Sequence, residues 1–88
     1  MKTLDQKFLL ADGLDEAILG VAHRCGDNPV VAYDINKIIK ILMERDGMDK
    51  TEAIEFYNFN IEQAYMGNRT PCYIDTDPDV FNLLKEKT

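Results

Sequence analysis

Helix start and stop signals punctuate this chain so closely that only short elements fit between them. Asp34 is placed to cap a helix over Ile35–Asp46, and Gly47 closes it. Asp49-Lys50-Thr51-Glu52 spells a capping box, with Met48 positioned to staple back on Ala53. The helix it starts runs to about Met66, where Gly67-Asn68 stops it. Asp77-Pro78 starts a last helix with Val80, Phe81 and Leu84 inward. Near the N-terminus, Thr3-Leu4-Asp5-Gln6 is a further capping box. It favours a short helix over Leu4–Ala11 with Leu4, Phe8 and Ala11 on one face; a strand over Lys7–Leu10 competes with it.

Between these signals, Leu14, Ala17, Ile18, Val21, Ala22 and Cys25 recur at helical spacing, which predicts a helix from Leu14 to Cys25 closed by Gly26. That stripe should pack against Ile38, Ile39, Leu42, Ile54 and Ile61. Val30-Val31-Ala32-Tyr33 and Pro71-Cys72-Tyr73-Ile74 read as short strands. Two consecutive helices between them would return the chain to the end it left, so the strands should be antiparallel. The predicted order is α-α-β-α-α-β-α: a small, mostly helical α+β fold with a two-stranded antiparallel ribbon, covered by helices because a ribbon is not stable alone. Residues 1–88 form a single domain, with 1–13 as an N-terminal segment.

Ten Lys+Arg against sixteen Asp+Glu give a net charge of −6. A nucleic-acid or anionic-membrane binder needs a cationic footprint, so neither is an expected direct partner. The longest apolar runs are too short for a span or a signal peptide, and two cysteines make no disulfide framework; a reducing cytoplasm follows as the expected setting. A domain this small hides only about 60–65% of its unfolded surface, so a second copy is a natural source of further burial.

The segment from Asp49 to Met66 has two apolar faces. At about 100° per residue, Ala53, Ile54, Tyr57, Ile61, Ala64 and Tyr65 share one stripe. Phe56, Phe59 and Met66 fall on the far side, with Gln63 between them. Aromatic residues and Met are enriched in interface cores. Phe56, Phe59, Gln63 and Met66 are therefore the candidate interface, for a partner or for a homodimer; the alternative is that another element of the chain covers them.

Candidate chemistry is sparse. His23-Arg24-Cys25 and Pro71-Cys72-Tyr73-Ile74-Asp75 echo the zinc-deaminase pattern, but Cys25 stands where the proton-shuttling Glu belongs and Asp75 where a second thiolate belongs. His23, Cys25 and Cys72 offer three ligands where a structural zinc site needs four, and Cys25 reads as a small core residue. The run Asp75–Asp79 with Glu86 resembles a calcium loop, but Val80 replaces the turn glycine; Asp77 as cap and Pro78 as first helical residue explain it better. No phosphate loop, dinucleotide fingerprint or nucleophile elbow occurs. No catalytic, cofactor or metal site is expected.

From Leu14 to about Ile74 the chain resembles small uncharacterised proteins of tailed phages and prophages. The resemblance rests on Leu14-Asp15-Glu16-Ala17-Ile18-Leu19-Gly20, Arg24-Cys25-Gly26, Tyr33-Asp34, Glu44-Arg45-Asp46-Gly47-Met48, Glu52-Ala53-Ile54-Glu55-Phe56, Phe59-Asn60, Ala64-Tyr65-Met66-Gly67 and Thr70-Pro71. It implies a phage-encoded accessory protein in a bacterial cytoplasm, and in that setting an inhibitor of a host defence system, of restriction or BREX type, acting on a host protein by direct contact. The alternatives are a small enzyme using Cys72 with His23, and an acidic mimic of DNA.

Overall fold

The computed structural model describes residues 8–86. The capping box at Thr3–Gln6, and Leu4 with it, lie outside the described residues. Phe8 to Ala11 form neither helix nor strand, although Phe8 and Ala11 pack against the core.

A three-stranded sheet organises the chain: β1 (Ile18–Ala22), β2 (Val30–Asp34) and β3 (Cys72–Ile74), in the order β1-β2-β3. The helices are α1 (Ile35–Asp46), α2 (Lys50–Phe56) and α3 (Pro78–Glu86). The fold is α+β, as expected, but with three strands rather than two. No helix among the described residues is long and apolar enough to cross a membrane.

The predicted helix from Leu14 to Cys25 is the largest correction. Asp15–Ala17 is one 3-10 turn, and Ile18–Ala22 is a strand paired antiparallel with β2. Residues i and i+3 share a face in a 3-10 turn, so Leu14 and Ala17 still reach the core, at 4% and 1% exposure. Ile18 and Val21 do not; they are exposed, and Ala22 is half-buried. Gly20 weakens the helical alternative. It is among the poorest helix formers, about 1 kcal/mol worse than Ala, and it stands beside β-branched residues that suit a pleated strand. Its φ of 152° accompanies a bulge in which Leu19 is extra, because Ile18 opposes Tyr33 while Gly20 opposes Ala32.

The second correction concerns direction. β2 and β3 are parallel, Ala32, Tyr33 and Asp34 facing Cys72, Tyr73 and Ile74. The helices between them form a crossover, and the loop after them completes the return that the antiparallel expectation omitted. Arg69 fastens that loop at the entry of β2 by donating from Nη1 to the Pro29 carbonyl at 2.7 Å. Chain order is therefore β-β-α-α-β-α, preceded by the 3-10 turn.

The helix signals in the middle of the chain act as read. Asp34 Oδ1 accepts from the N–H groups of Asn36 (2.9 Å) and Lys37 (3.3 Å), and Gly47 ends α1 at φ 74°. The Asp49–Glu52 box closes in both directions, at 2.8 and 3.0 Å. Past Phe56 the helix widens into a π-helical turn, Tyr57–Glu62, and stops there, short of Met66.

The core joins Leu14, Ala17, Val31, Tyr33, Ile38, Leu42, Ala53 and Tyr57, with Ile35, Ile39, Met48, Ile61 and Tyr73 packed around it. Tyr73 stacks on Tyr33 (centroids 5.9 Å apart) and meets Tyr57 edge-on (5.6 Å). Tyr33 also anchors the N-terminal segment, its hydroxyl accepting from the Ala11 N–H at 2.7 Å. Ile54, expected in this core, is exposed.

Candidate functional site

The four candidate interface residues separate into two groups. Phe56, at the end of α2, and Met66, in the loop after the π-helical turn, line one open groove of about 380 Å³ together with Leu10, Leu42, Ile61 and Tyr73. Phe59 projects from the π-helical turn at 70% exposure and lines no part of that groove. Gln63 follows the turn and is exposed. All four reach solvent, Phe59 most and Phe56 and Met66 less, since Leu10 and Ile61 line the groove with the latter two. Stepping at 100° per residue cannot place Met66 correctly, because the i→i+5 turn rotates the chain differently and Met66 is not helical. Its position comes instead from the loop: Met66 N–H donates to Thr70 Oγ1, and that hydroxyl donates to the Gly67 carbonyl, both at 2.7 Å.

One wall of the groove is polar. Arg45 grips Asp46 with two parallel hydrogen bonds (2.9 and 3.0 Å) and donates from Nη1 to the Gly13 carbonyl at 2.7 Å. The shared hydrogen bond raises the guanidinium pKa and lowers that of the carboxyl, with desolvation opposing both. Both groups stay charged in ordinary conditions and fix the segment around Gly13 to the end of α1.

Sequence patterning missed two further exposed apolar features. Helix α3 carries Val80, Phe81, Leu83 and Leu84, yet buries no residue; the expectation that Val80, Phe81 and Leu84 point inward is wrong. Tyr65, assigned to the core face, is 77% exposed. An amphipathic stripe reports that a helix has an apolar side, not which molecule that side meets.

The start of α3 is tied to the start of α1. Thr76 Oγ1 donates to Asp34 Oδ1 at 2.9 Å and accepts from Asn36 Nδ2 at 3.1 Å. Asp34 therefore caps α1 and steadies the linker to α3. Asp34→Ala removes both functions and is expected to cost about 1–2 kcal/mol. A thermal melt should fall by roughly 4–8 °C for each kcal/mol. A melt unchanged within a degree would show that water replaces the cap without loss.

The residues of the enzyme alternative also lie together. His23 and Cys72 both line an open cavity of about 750 Å³ between the β1–β2 loop and the loop before β3, with Arg24, Asp27, Tyr65 and Thr70. Among the described residues no hydrogen bond links His23 to Cys72. Cys25, expected in the core, is exposed, because the helix that would have turned it inward is a strand ending at Ala22. No three His, Cys, Asp or Glu side chains converge as a metal site among the described residues. The carboxylates of the Asp75–Asp79 run turn back on the chain instead: Asp75 accepts from Asp77 N–H (3.0 Å) and Asp77 from Asp79 N–H (2.8 Å).

No family model matches this chain, and no curated protein or solved structure does.

Proposed function

We propose that this chain is a non-enzymatic protein-binding protein whose working surface combines the exposed Phe59 and Gln63 with the apolar groove at Phe56 and Met66. The observation that carries this reading is Phe59, which stands 70% exposed on a hydrogen-bonded helical turn whose other side holds the buried Tyr57. An aromatic side chain presented on a rigid element binds with little loss of conformational freedom, and binding energy concentrates on such anchors. The groove beside it supplies apolar contacts at Phe56 and Met66, and Arg45–Asp46 supplies a polar rim. The partner is a bacterial host protein. The resemblance to tailed-phage accessory proteins supports a defence protein, of restriction or BREX type, and hence action as an inhibitor in the host cytoplasm.

The test is made in cells carrying such a defence system. The wild-type chain should raise the plating efficiency of an unmodified phage, and Phe59→Glu should abolish that protection while its far-ultraviolet circular dichroism and melting temperature stay close to wild type. The double variant His23→Ala/Cys72→Ser should protect as well as wild type. Loss of protection in that double variant alone would replace the binding reading with the enzymatic one. Purified target binding that collapses as salt rises would favour the acidic DNA mimic.

A further inference from the structure

We propose that two copies of this chain pair edge to edge through β1, antiparallel, about a two-fold axis at Gly20. β1 is an outer strand of the sheet, and among the described residues no strand pairs with its free edge. An uncovered edge offers a row of unpaired backbone donors and acceptors, and soluble proteins usually blunt it with Lys, Pro or a charge. Ile18-Leu19-Gly20-Val21-Ala22 contains none of these, and Ile18, Leu19 and Val21 are all exposed. The bulge between Ile18 and Gly20 is the one such device present, and the sheet face at Gly20 is open, since a Cβ there would meet nothing within 4 Å. The opposite edge is less suited, since β3 is three residues long and follows Pro71.

The flanking charges identify the occupant as a second copy. Asp15 and Glu16 precede the strand, and His23 and Arg24 follow it. In an antiparallel pair centred on Gly20, Leu19 lies opposite Val21 of the second copy and Ile18 opposite its Ala22. Beyond the strand the two-fold axis brings the acidic turn Asp15-Glu16 to the end where His23 and Arg24 of the second copy leave β1, and it repeats that meeting of opposite charges at the other end. Within one chain Arg24 makes only a loose contact with Asp27, 3.9 Å between atoms whose side chains are 88% and 65% exposed, so it is available. A parallel pairing would instead set acid against acid and base against base. The result is one continuous six-stranded sheet with an isologous interface. β1 contributes nothing to the groove at Phe56 and Met66, so the pair leaves that surface to another partner.

Charge reversal tests both the strand and its register. Sedimentation velocity on the purified chain should give twice the monomer mass. Glu16→Arg and Arg24→Glu should each weaken the dimer by about five- to thirty-fold, since each sets two like-charged pairs face to face. Mixing the two variants should restore wild-type affinity, because every facing pair in the mixed dimer is again of opposite sign. Leu19→Lys should dissociate the dimer while leaving the circular dichroism spectrum unchanged, and amide exchange over residues 18–22 should quicken with it. A wild type that stays monomeric up to its solubility limit overturns the proposal. So does a dimer that ignores mixing of the charge variants, or one dissociated by Phe59→Glu instead.

Discussion

Leu42→Ala is expected to destabilise the fold by about 2–5 kcal/mol, the cost of emptying a buried leucine site. Leu42 is 1% exposed and joins Ile38, Ala53 and Leu14 in the core. Its carbonyl also receives the N–H of Gly47, which ends α1, so neither side chain nor backbone has slack for collapse into the space. A domain of 88 residues holds roughly 4–13 kcal/mol in all. The variant should therefore melt about 10–30 °C lower, and its urea midpoint should fall without a change in slope. Ile54→Ala is the matched control. Sequence patterning set Ile54 in the same core, but it is 39% exposed, and its loss should change stability by less than about 1 kcal/mol. Equal losses for the two variants would mean that α2 is rotated relative to the arrangement described.

The pattern of success follows the range of the interactions. Asp34, the Asp49–Glu52 box and Gly47 act within four residues of themselves, and local sequence specifies them completely. The stripe Ile35, Ile38, Ile39 and Leu42 was legible for the same reason: the capped helix fixes its phase, and all four residues reach the core. Leu14 to Ala22 was not. Its spacing fits one helix face, and it fits equally a 3-10 turn followed by a strand whose bulge resets the alternation at Leu19. What separates the two is the backbone of β2, a neighbour that periodicity does not contain. The direction of β3 was hidden in a similar way, because the return path depends on Arg69 reaching Pro29, forty residues away in the chain.

The interface candidates show the same boundary. Phe56 and Phe59 were found because two aromatic residues fell off the phase of a strong helix, a local signal. Helical stepping sets Met66 beside them by a geometry the chain does not adopt; Met66 comes to the same groove as Phe56 through the Thr70–Gly67 turn. The apolar side of α3 reads as core because inward burial is the usual fate of such a stripe. Its exposure depends on how Thr76 is fixed between Asp34 and Asn36, which no pattern within the helix records.

Alkaline pH should expose the largest single electrostatic liability of the core. Tyr57 is 3% exposed, and no hydrogen bond of good geometry reaches its hydroxyl, although the Glu62 carboxylate lies near enough to perturb it. Burial pushes its pKa far above the usual tyrosine value near 10; the Glu62 carboxylate raises it further, followed by Tyr73 and Asp75. Burial raises Tyr73 as well, in contact with it. The sign follows from proton linkage. Above pH 10 the unfolded chain releases these protons while the folded chain keeps them, so stability is intact below about pH 10 and falls as pH rises toward the folded pKa values. The expected slope is about 1 kcal/mol per pH unit for each tyrosine, read from urea midpoints at successive pH values. Tyr57→Phe should remove one such contribution and leave that of Tyr73. It should also raise the melting temperature at neutral pH by a few degrees, since an unpartnered buried hydroxyl costs about 1–3 kcal/mol and phenylalanine keeps the ring contact with Tyr73. The difference between wild type and variant isolates Tyr57, because lysine deprotonation acts on both chains alike. A variant that melts several degrees lower at neutral pH would show that the hydroxyl has a partner after all, and an alkaline slope unchanged by the substitution would show that Tyr57 ionisation does not drive the loss of stability.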